Sequence, residues 1–242
     1  MISNAIFTYH SLDESGSVIS VRPDMFRRQM EALAASSVEV VPLTKILDRP
    51  GAVAITFDDG FGNLADHAVP VLKSLSLPAT IFVVSGYCGK RNNWPTQPAG
   101  IPDLPLLSWA ALRDLPPEIA LGAHTVTHPD LTVLNEAEMR REVLDSRSEI
   151  EQRTARSVES FAYPYGTVNA PAAALVGNQF KVGCGTRLNF SEPDADRAQL
   201  PRLDTYYLQS AVWFKQPLGW KTQGYIDLRR QLREFRSRYH GG

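Results

Sequence analysis

The 242-residue sequence has no excess of either charge sign: 25 Lys and Arg stand against 26 Asp and Glu, without long runs of one kind. It therefore lacks the basic footprint of a nucleic-acid binder. No apolar run approaches the roughly 18 to 20 residues that a membrane span requires, because Gly, Pro or Asp interrupts each one within a few positions. Met1 to His10 has no basic leader followed by an apolar core, so it reads as a first strand and predicts a cytoplasmic chain. Cysteine is scarce. Cys88 and Cys184 have no metal-type spacing, allow one bridge at most and read as small buried residues. Repeats and internal linkers are absent too, and the length suffices for one domain with a substantial core.

What is present is an alternation of short β-branched segments with amphipathic ones, the pattern of an α/β fold. The expected strands are Ala5 to Tyr9, Val38 to Val41, Val53 to Phe57, Ala79 to Val83, Ala120 to His124, Ser160 to Tyr163 and Val182 to Gly185. Helices are expected over Pro23 to Ala35, Asn63 to Leu75, Trp109 to Leu115, Glu136 to Arg153 and Ala170 to Asn178. The Glu136 helix carries a capping signature, Asn135 with Glu138 three residues on, and Met139, Val143 and Ile150 share its apolar face. Its remaining Arg and Glu residues read as a solvated, ion-paired surface. Lys90 to Pro105, rich in Pro, Asn and Gly around Trp94, reads as a long surface loop, a length at which loops are often functional. A helical extension around 222–240 closes the chain. Within it, Asp227 to Tyr239 is a basic amphipathic helix whose Leu228, Leu232 and Phe235 are expected to pack on the domain.

Two segments place metal-competent side chains directly after an expected strand. In Ile55-Thr56-Phe57-Asp58-Asp59-Gly60 an apolar strand runs into two carboxylates and a glycine. Taken alone, Asp-Asp-Gly also reads as a simple turn. The second segment, His124-Thr125-Val126-Thr127-His128-Pro129, holds two of only five histidines. Thr-Val-Thr disfavours helix and Pro129 pushes His128 towards extended geometry, so a strand end and loop is expected. Two His and one carboxylate form a three-ligand set with an open coordination position, as in catalytic zinc sites. A second carboxylate beside such a cation stays ionised and can take a proton from water. Zinc is the default for nitrogen and oxygen donors, with cobalt, nickel or manganese as substitutes.

These two segments resemble the first two motifs of the polysaccharide deacetylase family, also called the NodB-homology or carbohydrate esterase 4 family. Phe161-Ala162-Tyr163-Pro164-Tyr165-Gly166 is similar to a Tyr-Pro-Tyr-Gly variant of its third motif, and the likeness runs from Phe7 to about Arg202. The resemblance implies a distorted (β/α) barrel of about seven parallel strands in a single domain. It also implies Asp58 as general base, Asp59, His124 and His128 as metal ligands, and the backbone N–H of Tyr165 in an oxyanion hole.

The chain departs from the family pattern twice. No Arg lies between Phe161 and Gly166 to hold the base; Arg202 either supplies that charge or is a surface residue paired with Asp204. The late Leu-x-His motif that supplies the acid in many relatives is also missing. His10, in Phe7-Thr8-Tyr9-His10, is the replacement candidate, its alternative being a buried structural histidine; Asp58 returning its own proton is a third route. His67 reads as structural and the terminal His240 as mobile. Tyr163, Pro164 and Trp94 are candidate substrate contacts, and Trp213 and Trp220 are further rings that could stack on a sugar.

The leading expectation is metal-dependent hydrolysis of an N-acetyl group from an amino sugar or saccharide. An amidase or deformylase acting on a small cytoplasmic or lipid-linked amide is the alternative enzyme. A non-catalytic carbohydrate-binding relative is the alternative of another class, and oligomeric state is left open.

Overall fold

The computed structural model describes residues 3–240, with side chains described as far as Phe235; the first two residues and the side chain of His240 lie outside. Seven parallel strands form one curled sheet, in the spatial order Val182–Cys184, Ser160–Ala162, Ile119–Ala123, Ala79–Val83, Val53–Phe57, Ala5–Tyr9 and Leu203–Asp204. They are β1 (Ala5–Tyr9), β4 (Val53–Phe57), β5 (Ala79–Val83), β6 (Ile119–Ala123), β7 (Ser160–Ala162), β8 (Val182–Cys184) and β9 (Leu203–Asp204). A two-stranded parallel ladder, β2 (Ser11–Leu12) with β3 (Ser20–Val21), follows β1. The helices are α1 (Pro23–Ala34), α2 (Leu64–His67), α3 (Val69–Ser74), α4 (Trp109–Arg113), α5 (Glu136–Thr154), α6 (Ala170–Gln179), α7 (Val212–Lys215) and α8 (Trp220–His240). None of the described helices is long and apolar enough to cross a membrane.

The strands are buried on both faces, as parallel strands covered by helices must be. Phe7, Tyr9, Ile55, Phe57 and Ile81 join Phe26, Met30, Leu72, Met139 and Ile150 of the helices in the larger core. The intervening Ile6, Ala54, Phe82, Ala162 and Cys184 form a smaller cluster inside the curl, which Val41, Leu43 and Ile46 extend. This period of two makes the structure a two-layered distorted half-barrel around a thin interior. The open seam between β8 and β9 is narrowed by one segment: Leu200 bridges in parallel to Cys184, and Leu203 pairs with Phe7 of β1 three residues later.

Three expectations need correction. Val38 to Val41 is not a strand; only Val40 bridges, to Val53, and the seventh strand is instead Leu203–Asp204. The expected helix Asn63 to Leu75 is two short helices, α2 and α3, because Pro70 has no N–H for the carbonyl four residues back and its ring crowds that carbonyl. On α8 the buried side holds Thr222 and Ile226, while Arg229 lies over the Tyr207 ring and Arg230 and Arg233 donate to Asn189 and the Thr186 carbonyl. Leu228, Leu232 and Phe235 are therefore turned outward, at 54, 45 and 58 % exposure. The capping box of α5 is present as expected, Asn135 and Glu138 bonding reciprocally.

Candidate metal centre and its surroundings

Parallel strands deliver all their C-terminal ends to one face, and the residues following them meet there. His10 follows β1, Asp58 and Asp59 follow β4, His124 follows β6 and Tyr163 follows β7. Asp59, Thr125, His128 and Tyr165 all have positive φ (67°, 67°, 59° and 59°). Such backbone is sparsely populated outside glycine and clusters at functional sites, where the surrounding structure holds it. Here local bonds do so. The Thr125 hydroxyl accepts the His128 N–H at 2.9 Å, and the Glu142 carboxylate of α5 accepts the N–H groups of Val126 and Thr127 at 2.8 and 2.9 Å.

Asp59, His124 and His128 converge, their candidate ligand atoms lying within 4.8 Å of one another. Asp59 Oδ1 is 3.4 Å from Nε2 of His124 and 3.4 Å from Nε2 of His128. Zinc binds imidazole nitrogen and carboxylate oxygen at about 2.0–2.2 Å, which puts two tetrahedral neighbours about 3.3–3.6 Å apart. His124 Nδ1 lies 2.7 Å from the Ala162 carbonyl, which can only accept, so the proton sits on Nδ1 and Nε2 is left as a donor atom for a cation. The two carboxylate–imidazole spacings and the chemistry of the donors fit a divalent metal. Burial pushes the Asp59 carboxyl up, but the imidazoles of His124 and His128 beside it outweigh that and hold it far below the usual range. Burial depresses the His128 imidazole towards its neutral form, whereas Asp59 and Asp58 raise the His124 imidazole against its own burial.

Asp58 does not join the cluster. Its two oxygens accept a bidentate pair of 2.7 Å bonds from Arg202 Nη1 and Nη2, both residues being buried. Arg202 is fixed in turn by Nε donating to the Gly185 carbonyl at 2.9 Å. Burial raises the Asp58 carboxyl, but Arg202, His124 and His10 together hold it below its ordinary value. His10, 3.8 Å from Asp58 Oδ2 through Nε2, is part-exposed and lines the same pocket. Of the two partners open to Arg202 in the sequence, Asp58 is the one bonded; Asp204 is half-buried, its carboxyl raised by desolvation, and accepts the Tyr206 N–H.

The profile of the polysaccharide deacetylase family matches residues 47–180, more than half of the chain. The chain belongs to the polysaccharide deacetylase family. It is 26 % identical over 204 residues to the poly-β-1,6-N-acetyl-D-glucosamine N-deacetylase of Staphylococcus epidermidis, covering 76 % of this chain and 67 % of that one. The Staphylococcus aureus protein of the same name is 23 % identical over 224 residues, covering 86 % and 72 %. The chain spans 63 to 72 % of the lengths of these curated relatives. In fold it is similar to the Streptococcus pyogenes deacetylase PplD (TM-score 0.75, 18 % identity, covering 90 % of this chain and 98 % of that one). It is likewise similar to IcaB from Ammonifex degensii (TM-score 0.71, 21 % identity, covering 89 % and 98 %).

Within this deacetylase-family chain the substrate candidates separate. Trp94 is buried and stacks on the His128 ring, centroids 4.3 Å apart, and the Tyr165 ring meets His128 edge-on at 4.8 Å. Tyr163 lines the pocket, although its hydroxyl is tied to the Ala198 carbonyl at 2.7 Å. Pro164 is buried in the turn and does not line the pocket. Trp213 stacks on Tyr225 and Trp220 is 77 % exposed; neither reaches the site, because both belong to the C-terminal helices on the outside of the barrel. His67 is exposed on α2. Both cysteines are free, with burial pushing each thiol up to about 12. Sequence reasoning missed Glu142, assigned to the solvated face of α5, although its place three residues after Met139 and beside Val143 puts it on the barrel side of the helix.

Proposed function

We propose that this chain is a metal-dependent N-deacetylase acting on an N-acetylated amino sugar or saccharide, in one domain extended by α8. The observation that carries the reading is the spatial separation of a three-donor set, Asp59, His124 and His128, from a second carboxylate, Asp58, held ionised by Arg202. Membership of the deacetylase family and the names of its staphylococcal relatives support the reaction class.

Asp59, His124 and His128 would hold a divalent cation, with zinc the best match to two nitrogens and one oxygen, and cobalt, nickel and manganese as substitutes. Such a cation lowers the pKa of water from 15.7 to about 7 and polarises a carbonyl. Asp58 takes the proton of the attacking water. Its bidentate bonds to Arg202 orient it and leave its outer lone pairs free to accept. The Tyr165 N–H, presented by the positive-φ turn, donates to the oxygen on which charge develops. His10 delivers a proton to the departing amine, being near Asp58 and open to the pocket. The set also weighs against a non-catalytic binding relative, since sugar binding needs neither converging donors nor an arginine-clamped carboxylate.

The test is acetate release from small N-acetylated sugars and oligomers by metal-loaded and chelator-stripped protein. Release that is lost on stripping and restored by zinc is the expected result. Release unaffected by complete metal removal refutes the role given to the three ligands.

A further inference from the structure

The candidate site lies at the bottom of a pocket of about 260 Å³, just below the range of roughly 300–1,000 Å³ usual for small-ligand sites. There is room for one sugar unit and little more. The floor is polar and buried: Asp58, Asp59, His124 and His128. Away from the floor the lining is largely apolar, with Gln97 and Thr186 among its polar members. From the β2–β3 connection come Val18, 56 % exposed, and half-buried Ile19; from the Lys90–Pro105 loop come exposed Pro98 and half-buried Ile101.

This rim is not a loose flap. Asn92 bonds across its loop to the Pro102 carbonyl and the Leu104 N–H at 3.0 and 2.6 Å, and Arg91 pairs with Asp103 at 2.9 Å. The loop is also fastened to the site, the Thr96 hydroxyl donating to the His128 carbonyl at 2.9 Å and the Tyr165 hydroxyl to the Thr96 carbonyl at 2.7 Å. The aliphatic wall is thus held over the centre before any ligand arrives.

A sugar chain leaving the pocket would press its hydroxyls against Val18, Ile19, Pro98 and Ile101, whose side chains cannot replace the hydrogen bonds lost to water. An apolar group in the same place gains by leaving water.

Resting on the deacetylase reading above, we propose that the substrate is a single N-acetylated sugar bearing an apolar aglycone, the sugar in the pocket and the aglycone against Val18, Ile19, Pro98 and Ile101. The shared chemistry covers a glycolipid and a small alkyl or aryl glycoside. It opposes binding of an internal unit of a long polymer.

The experiment is calorimetric titration of the zinc-loaded Asp58→Asn variant with methyl β-N-acetylglucosaminide, with the octyl glycoside below its micellar concentration, and with a β-1,6-linked N-acetylglucosamine tetramer. The octyl glycoside should bind about tenfold or more tightly than the methyl one, as two or three buried methylenes imply. The tetramer should gain nothing over the methyl glycoside. In the Val18→Ser, Ile101→Ser double variant the octyl preference should shrink to about twofold or less. A tetramer that binds more tightly than the octyl glycoside, a preference untouched by the double variant, or no binding of either glycoside overturns the proposal. Presenting the same head group on phosphatidylcholine vesicles separates the sources: binding there assigns a glycolipid, and binding in solution alone assigns a small glycoside. Acetate release by the unmutated enzyme is scored separately. An intact octyl preference without release of acetate from any of these compounds defeats the deacetylase reading and spares the account of the rim.

Discussion

Replacing Arg202 by Met tests the electrostatic core of the site through stability alone. Arg202 and Asp58 are 1 % and 3 % exposed and joined by two 2.7 Å bonds. Met keeps much of the length and apolar volume of Arg while stranding the Asp58 charge and the Gly185 carbonyl that Nε now satisfies. Removing one partner of a buried pair costs about 3–5 kcal/mol. The loss should depend on pH with a definite sign. In the unmutated protein the Asp58 pKa lies below its unfolded value of roughly 3.9. Its contribution is therefore fully present above about pH 4 and disappears as the pH falls through the folded value. Without Arg202, burial dominates and raises that pKa, so the variant keeps its stability in acid and loses it as the pH rises through the raised value. The gap between the two proteins should be small near about pH 3.5 and reach about 3–5 kcal/mol near neutrality. Urea denaturation of metal-stripped protein across that range measures it, and Asp58→Asn combined with Arg202→Met should recover much of the neutral-pH loss. A penalty below about 1 kcal/mol at pH 7, or one that does not change with pH, refutes the reasoning.

Asp58→Asn should retain one metal per chain and lose about 10²–10⁴-fold in acetate release; a variant of undiminished activity removes Asp58 from the role of base. His124→Ala and His128→Ala should each lower metal content after dialysis against buffered zinc, and full occupancy in both rejects the ligand set. Glu142→Gln weakens the charge-assisted bonds to Val126 and Thr127 that shape the His128 loop, so the zinc Kd should rise about tenfold; an unchanged Kd measured by competition with a chelator contradicts that positioning role. At Gly166, φ is +71° and an added Cβ would stand 2.0 Å from Thr186 Oγ1. Gly166→Ala should therefore cost about 1–3 kcal/mol and reduce turnover through the Tyr165 turn. Its metal content should stay at the level of the unmutated protein.

The boundary between what could and could not be read from the sequence follows the distance over which each feature is determined. β1, β4 and β5 have their expected bounds, because each is an apolar β-branched run whose partners cover both faces. Three candidate site residues could be read for the same reason: Asp58, Asp59 and His124 follow strand ends directly, and the polar break after an apolar run marks them. Val38 to Val41 has the same composition as a strand but makes a single bridge, to the N-terminal end of β4 where β1 already pairs on one side and β5 further along. Leu203–Asp204 has almost no local signal, and its pairing is set by the need to narrow the seam between β1 and β8. Arg202 illustrates the limit most sharply. In the sequence its nearest acidic neighbour is Asp204, two residues away, yet it bonds Asp58 across a separation of 144 residues. Its register in the closing segment turns it into the barrel interior, where Thr56 and Asp58 are reached and solvent is not. A charge buried by closure can have its partner chosen only by closure. The candidate site residues at strand ends were therefore legible, whereas the bonds of Arg202 to Asp58 and of Glu142 to the loop before His128 depend on the completed barrel.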